Sequence, residues 1–449
     1  MDEAGQSTPA GARSGTQSPG KKNRDINPAI PKPHHIDDPG RTRYGVGVSV
    51  YFGALFLIYG VFLPYFPVWL DWRGLTAEDI AIITALPFFV RFLASPAIAL
   101  AADRHSTHRL TTVVLSWMAL TAGLALTQLT TFWPIAVAAL VLSLAKTSVM
   151  PMIETLAVTG VTKLRLDYGW MRLWGSLTFI LASFVGGLLI ERLGSGVTIW
   201  LVVVACIVTV LASHLLVKPD ATPLSARLPA AAPQPEAAKP TNAAATTTLG
   251  TISSALGLLT MTPFLLLLVA TGAVQATHAT YYTFGTLHWL SQGISPLQAG
   301  ILWAIGVIAE IIVFAKAGPI IARIGAERLL LAGCLAAVVR WALTATDPGF
   351  WALLPIQMLH GLTFGASHVA AIYLVGRMVP PNLQGTGQAL HASIGMGLAM
   401  GGAMLVSGLL YTQFAGLTYL AMAALGVVAS VAAVILLYLI AKDHSQASP

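Results

Sequence analysis

Residues 44–70, YGVGVSVYFGALFLIYGVFLPYFPVWL, form an apolar run without a charged side chain. A helix needs about 20 such residues to cross the hydrocarbon core of a bilayer. Strands of a membrane barrel instead alternate apolar and polar residues over about 10 positions. Of the 449 residues in the chain, 56% are hydrophobic and 10% are charged, whereas soluble domains carry about 25% charged residues. The sequence therefore predicts transmembrane helices and excludes a water-soluble fold.

Eleven more apolar runs of this length follow, so we expect an all-α polytopic membrane protein with twelve transmembrane helices in two six-helix repeats. The later spans are predicted at Ile80–Ala102, Leu110–Leu129, Trp133–Val161, Arg172–Ile190, Val197–Val217, Phe264–Trp289, Leu297–Ala317, Leu329–Ala345, Phe350–Val375, Gln384–Tyr411 and Gly416–Ala441. The two bundles then occupy residues 44–217 and 263–441. The polar segment 1–43 is expected to be a disordered cytoplasmic tail, 442–449 a short cytoplasmic tail, and the Ala-, Pro- and Thr-rich segment 218–262 a flexible cytoplasmic linker.

The basic residues are divided unequally between the two sides of the membrane. One side carries the N-terminal tail and most of the basic loop residues, and the other carries only Arg73 and Arg192. Because cytoplasmic loops are enriched in Lys and Arg, both termini are expected in the cytoplasm, in a cytoplasmic (inner) membrane. The same distribution accounts for the net charge of +7 without a nucleic-acid-binding face. Cys206 and Cys334 stand alone, and no metal site is expected.

Several residues recur in the two halves with one offset in sequence number. The offset of 219 (for example, 323 − 104) relates Thr76 to Ser295, Arg91 to Glu310, Arg104 to Arg323 and Arg109 to Arg328. Because the halves have the same orientation, this is a parallel repeat about an axis along the membrane normal. Transporters with such repeats place the substrate between the two halves.

Four motifs are similar to those of the major facilitator superfamily. The loop from Leu100 through Asp103 and Arg104 to Arg109 resembles the Asp-Arg loop motif of that superfamily, with Ala99 and Ser106 in place of its usual glycines. The stretches DYGWMRLWGS (167–176), GVIAE (306–310) and LHGLTFGASH (359–368) resemble the phenylpropionate permease group and, more distantly, lactose permease. The resemblance implies the major facilitator fold, proton-coupled symport by alternating access, and a gating role for the loop residues Asp103, Arg104 and Arg109.

The resemblance to lactose permease also implies roles for individual residues. Glu154 and Arg172 occupy the positions with which that carrier binds its sugar, and they are the preferred substrate-binding pair. Phe179 replaces the Trp that stacks on the sugar ring, which argues against galactosides. His360 matches a proton-coupling histidine, but Thr363 stands where a carboxylate is expected. Proton coupling then requires another acid or is absent.

Two acids lie deep in the spans, where a charged side chain costs about 2.5–3.5 kcal/mol on insertion scales. These acids are Glu154 and Glu310, and at least one of them is expected to move protons. Glu310 is preferred for proton coupling, together with Arg340, His360 and His368. The alternative for the histidines is a neutral ring that hydrogen-bonds between helices.

The remaining deep charges are basic. Lys146 and Arg91 are candidates for substrate binding, although Arg91 could equally close a structural ion pair with an acid on another helix. Lys316 lies close enough to the membrane edge to snorkel.

The excess of positive charge at bilayer depth favours an anionic solute, in agreement with the aromatic carboxylate that the resemblance suggests. A neutral sugar or nucleoside remains an alternative, because the basic groups could pair with the acids. A membrane sensor that kept the transporter fold without flux is an alternative from another class. No H-E-x-x-H, G-x-S-x-G or P-loop motif supports an enzyme. We expect a chain that works as a monomer, with the proton as coupling ion and no cofactor.

Overall fold

The computed structural model describes residues 39–217 and 256–446, and every element of secondary structure in these ranges is a helix. Spans 1 to 6 are Pro39–Trp72, Ala77–His105, His108–Gln128, Phe132–Leu164, Tyr168–Leu193 and Val197–Leu215. Span 7 consists of Thr262–Ala276 and Ala279–Ser291, span 8 is Pro296–Ile324, and span 9 is Ala326–Thr344. Span 10 begins with the helix Phe350–Met358 and ends with the helix Ser367–Met378. Span 11 begins with Gln384–Leu390 and ends with Ala399–Phe414, and span 12 is Thr418–Gln446.

Ten helical runs in the described ranges are long and apolar enough to cross a membrane. The last of them, Pro381–Lys442, contains span 11 and most of span 12. Span 9 is not among the ten, because Glu327, Arg328 and Arg340 lower its apolar character. The twelve-helix fold predicted from the sequence is therefore confirmed.

The helices extend beyond several of the predicted boundaries. Span 1 begins at Pro39, so residues 39–43, which the prediction gave to the N-terminal tail, are helical. Proline suits this first helical position because its missing N–H would have no partner there. Residues 256–260 at the end of the predicted linker are also helical, as are residues 442–446. The rest of the predicted tails and linker, residues 1–38, 218–255 and 447–449, lies outside the described ranges.

The structure shows the repeat in its helix boundaries. Span 2 and span 8 each contain 29 residues, and both their first and last residues differ by the offset of 219. Each of these spans begins with a capping box, formed by Thr76 and Asp79 in span 2 and by Ser295 and Gln298 in span 8. In a capping box, each of the two side chains accepts a hydrogen bond from a backbone N–H that has no partner within the helix.

Three spans of the second half depart from regular α-helix. Span 7 breaks at residues 277–278. Span 10 contains a π-helical segment at Gly361–Ala366, and span 11 contains one at His391–Leu398. Single π-helical turns occur often at functional sites. These three departures surround the space between the two halves.

The halves are in close contact at the membrane face opposite the termini, which we call the far side. There Thr412 of span 11 donates a hydrogen bond to Glu78 of span 2 at 2.7 Å. The backbone N–H of Leu297 in span 8 donates to Glu191 of span 5 at 3.2 Å. Both carboxylates therefore sit at helix N-termini, where negative charge is favourable.

The halves separate toward the membrane face that carries the termini, which we call the termini side. In span 2 the buried residues end at Pro87, apart from Ala102. In span 8 they end at Ala309, apart from Ala317. The lipid-facing side of a span is exposed along its whole length, so it does not explain why the buried residues stop halfway. The buried residues stop where spans 2 and 8 lose contact with the opposite half. The described structure is closed on the far side and open on the termini side.

Candidate functional site

Two adjoining cavities lie between the halves at the middle of the membrane. The first, of about 320 Å³, contains the side chains of Arg91 and Lys146, and we call it the Lys146 cavity. The second, of about 300 Å³, contains Arg172 and Glu310, and we call it the Glu310 cavity. Four side chains form part of the wall of both cavities, which are therefore neighbours: Tyr59, Leu63, Tyr282 and Phe364.

The Lys146 cavity presents two positive charges against aromatic rings. The Lys146 ammonium lies 4.2 Å from the ring centre of Phe62 and 4.6 Å from that of Tyr59, and the residue is only 7% exposed. The Arg91 guanidinium lies 4.5 Å from the ring centre of Phe88. Aromatic faces attract cations but do not neutralise them.

No acid neutralises these two cations in the described part of the chain. No carboxylate oxygen of residues 40–217 or 256–442 lies within 4.0 Å of the Arg91 or Lys146 nitrogens. Arg91 instead donates a hydrogen bond across the halves to the Met396 carbonyl at 3.3 Å. The structural ion pair considered for Arg91 is thus not formed within these ranges. The cavity is suited to an anion with an apolar or aromatic body.

The Glu310 cavity brings three predicted proton-coupling residues together. Arg340 donates to Nδ1 of His360 at 3.0 Å. Because arginine can only donate, the neutral His360 ring must carry its proton on Nε2. That Nε2 lies 3.7 Å from the Glu310 carboxylate, which is an electrostatic contact rather than a hydrogen bond. The arrangement aligns Arg340, His360 and Glu310 in one chain.

Arg340 is fully buried and held on several sides. It donates to Thr363 at 2.9 Å and to Gln357 at 2.8 Å, and it lies over the rings of Trp341 and Tyr281. Neutral partners and aromatic faces surround its charge.

A hydrogen-bond chain joins Arg340 to the break in span 7. The Thr363 hydroxyl accepts from Arg340, so its own proton can go to Nε2 of His278 at 3.0 Å. Nδ1 of His278 then donates to the Gln275 carbonyl at 3.1 Å. Thr363, which stands where a carboxylate was expected, therefore links spans 7, 9 and 10.

The structure does not bring Glu154 and Arg172 into an ion pair. Their charged atoms are more than 4.0 Å apart, although they interact electrostatically. Arg172 stacks on Phe56 at 4.2 Å and faces the same cavity as Glu310, with which it also interacts electrostatically. Glu154 is half-buried and lines neither cavity.

The other predicted residues occupy different places. Phe179 is buried and forms a wall of the Glu310 cavity. His368 lies outside both cavities and stacks on Phe364, with ring centres 5.8 Å apart. Lys316 is exposed outside both cavities, as expected for a snorkelling side chain.

The predicted gating loop is held by one contact within the loop region and one contact with the end of span 6. Asp103 accepts from His108 at 2.7 Å, Arg109 donates to the Leu216 carbonyl, and Arg104 is exposed. Ser106 has a φ of 51°, in the left-handed region that favours glycine, which is the residue usual there in the superfamily.

Among the residues of the site that sequence reasoning missed are two with a polar side chain in the Lys146 cavity. Gln275 and Tyr59 line the Lys146 cavity, and Tyr59 also donates to the Lys146 carbonyl at 3.1 Å. A glutamine inside an otherwise apolar span was a signal that could have identified Gln275, since uncharged polar groups at bilayer depth need partners. Tyr59 gave a weaker signal, because most of its side chain is an apolar ring and only the hydroxyl group needs a partner.

Comparison with known proteins gives a consistent result. A family model described as "MFS_1 like family" matches residues 48–421. The chain is 31% identical over 374 residues to the probable 3-phenylpropionic acid transporter of Escherichia coli (strain K12), covering 81% of this chain and 88% of that protein. It is 28% identical over 408 residues to the maltose permease of Geobacillus stearothermophilus, covering 89% and 95% of the two chains.

Solved structures share the fold at much lower identity. The nucleoside transporter NupG superposes with a TM-score of 0.71 at 16% identity, covering 88% of this chain and 99% of that one. A bacterial homologue of the human lysosomal transporter Spinster, in an inward-facing and unoccupied conformation, superposes with a TM-score of 0.66 at 14% identity, covering 90% and 98% of the two chains.

Proposed function

The chain belongs to the MFS_1 like family of major facilitator transporters, and on this basis we propose that it carries a small organic anion together with a proton. It is a multi-pass membrane transporter of a small solute and not an enzyme. We propose an aromatic carboxylate as the substrate, alternating access as the mechanism, and the cytoplasmic (inner) membrane, with both termini in the cytoplasm, as the location.

One observation carries the choice of an anion. Arg91 and Lys146 face one cavity with no carboxylate in contact among the described residues, and aromatic rings form its walls. A carboxylate bound there would pair with both cations, and an aromatic ring would fill the apolar remainder. The name of the Escherichia coli relative, a probable 3-phenylpropionic acid transporter, agrees with this chemistry.

Glu310 is the proposed proton carrier. It lies in the space that is open to the termini side, where it can exchange a proton with that compartment. When ionised, it faces the Nε2–H of His360, which Arg340 holds in place. Protonation of Glu310 removes the negative charge between Arg340 and Arg172. Proton binding therefore changes the net charge of the site that binds the anion, and this change couples the two binding events.

The anion proposal is tested by exchanging lysine for glutamine at two positions. In proteoliposomes, Lys146→Gln should weaken the apparent affinity for 3-phenylpropionate by about tenfold or more, because a hydrogen bond to a charged group contributes roughly 1.5–3 kcal/mol. Lys316→Gln is the matched control, since Lys316 is exposed and outside both cavities. Unchanged affinity in Lys146→Gln would refute an anion site at this position.

A neutral sugar or nucleoside is the second candidate. The maltose permease relative and the fold shared with a nucleoside transporter support it. Uptake of maltose or uridine that 3-phenylpropionate does not inhibit would favour this candidate. Binding of 3-phenylpropionate without any flux would instead indicate a sensor.

A further inference from the structure

Gln275 is a buried polar residue that the proposed proton and anion sites leave unused. It lies in the last turn of the first helix of span 7, directly before the break, and is 2% exposed. It lines the Lys146 cavity from the second half, whereas Lys146 and Arg91 line that cavity from the first half. A ligand in the cavity therefore lies between the two positive charges and the Gln275 amide.

The orientation of the Gln275 amide follows from its neighbours. The Ser367 hydroxyl donates its single proton to a backbone carbonyl, that of Thr363 at 2.7 Å or of Phe364 at 3.1 Å. Toward Gln275, Ser367 can then only accept, so the group that faces it at 3.0 Å must be the Nε2 amide donor. This contact fixes the other end of the amide as the Oε1 acceptor.

Gln275 Oε1 has no hydrogen-bond partner in the described part of the chain, although it is buried. Buried acceptors without partners are rare in folded proteins because each one loses its hydrogen bonds to water. A site that contains such an acceptor selects ligands that bring a donor, since a ligand without one leaves the acceptor unpaired.

We propose that the substrate carries a hydrogen-bond donor at the end opposite its carboxylate, and that Gln275 Oε1 accepts this hydrogen bond. This inference rests on the proposed anion site and narrows the substrate class to hydroxylated aromatic acids, such as a hydroxyphenylpropionate. The carboxylate binds Lys146 and Arg91 in the first half, and the hydroxyl group binds Gln275 in the second half. The substrate then bridges both halves. The main-chain carbonyl of the same Gln275 is one end of the hydrogen-bond chain that leads through His278 and Thr363 to Arg340.

The test compares 3-phenylpropionate with its 2-, 3- and 4-hydroxyphenyl analogues on the purified full-length protein, by equilibrium binding. For the wild type, at least one analogue should bind about tenfold more tightly than 3-phenylpropionate, the factor expected for one net hydrogen bond. Gln275→Met has a similar size but lacks the acceptor, so it should lose this preference while still binding 3-phenylpropionate. Gln384→Met is the matched control, because Gln384 is exposed and lines neither cavity; it should keep the preference.

The wild-type measurement alone can overturn the inference, even if Gln275→Met does not fold. Equal binding of 3-phenylpropionate and all three analogues to the wild type would show that the acceptor does not select a donor. Preference that persists in Gln275→Met would also overturn it. If 3-phenylpropionate binds in a Lys146-dependent manner without a hydroxyl preference, only this inference fails. If none of the four acids binds, the proposed anion site fails as well.

Discussion

Arg340 shows how one buried charge can organise a site. Its guanidinium donates to His360, Thr363 and Gln357 in different directions, which a planar group with five N–H donors can do. Its contact with His360 fixes the ring tautomer and directs Nε2–H toward Glu310. Arg340 therefore acts as a positioning residue for the proposed proton carrier.

Replacement of Arg340 by lysine tests this role because the charge is kept and the geometry is lost. A single ammonium cannot reach all three acceptors, so Arg340→Lys should lower the free energy of unfolding by about 1–3 kcal/mol. It should also weaken pH-driven accumulation more than substrate counterflow, since His360 is no longer held. Thermal unfolding in detergent and paired transport assays measure the two effects.

Arg192→Lys is the control, because Arg192 is exposed at the far side. If Arg340→Lys unfolds at the same temperature as Arg192→Lys and accumulates substrate normally, Arg340 has no positioning role.

The sequence identified most of the charged residues of the site but not their neighbours. Arg91, Lys146, Glu310 and Arg340 stood out because charges at bilayer depth are costly and rare. Residue spacing gives the depth of a side chain along the membrane normal, whereas its neighbours depend on how each helix is rotated. The proposed contact of Glu154 with Arg172 depended on such a rotation, and the structure places Arg172 in the Glu310 cavity instead.

Between helices, glycines allow the close approach that closes the far side. A Cβ atom added at Gly408 of span 11 would lie 2.4 Å from the Ala81 Cβ in span 2. One added at Gly300 of span 8 would lie 2.3 Å from the Ser183 carbonyl oxygen in span 5. Real Cβ atoms do not approach other atoms so closely, so a larger residue at either position must separate the helices.

The Gly408→Ala variant should therefore shift the protein toward a state that is open on the far side. A cysteine introduced at Thr84, which lines the Lys146 cavity, should react several-fold faster with a membrane-impermeant thiol reagent added from the far side. The native cysteines are buried and give little background. Gly402→Ala is the matched control, since Gly402 lies in the same span with no atom within 4 Å of an added Cβ. Equal labelling rates in the two variants would contradict the close-contact role of Gly408.

The sequence predicted where helices occur better than where they break. Long apolar runs and the repeat located all twelve spans, because each span must satisfy its own backbone in lipid. The break at residues 277–278 and the two π-helical segments were not predicted. Their stability depends on contacts with other spans, such as the approach of Gly395 in span 11 to Gly272 in span 7. Patterns within one segment do not contain that information.

In the complete transporter, the site combines unlike contributions from the two halves. The first half supplies the positive charges of Arg91, Lys146 and Arg172, and the second supplies Glu310 with its hydrogen-bonded partners. Arg91 and Glu310 occupy equivalent positions of the repeat. In the proposed alternating-access mechanism, rocking of the halves changes the distances between these groups, and this change links the proposed proton binding to the proposed anion binding.

Proton coupling through Glu310 can be tested by comparing two transport modes in three proteins. Accumulation of 3-phenylpropionate driven by a pH gradient, and counterflow without a gradient, are measured in proteoliposomes that contain equal amounts of folded wild type, Glu310→Gln or Glu154→Gln. Glu310→Gln should lose pH-driven accumulation and keep counterflow, because a neutral amide imitates a permanently protonated acid, whereas Glu154→Gln should keep both. Accumulation by Glu310→Gln at the wild-type level would contradict the assignment of Glu310 as the proton carrier.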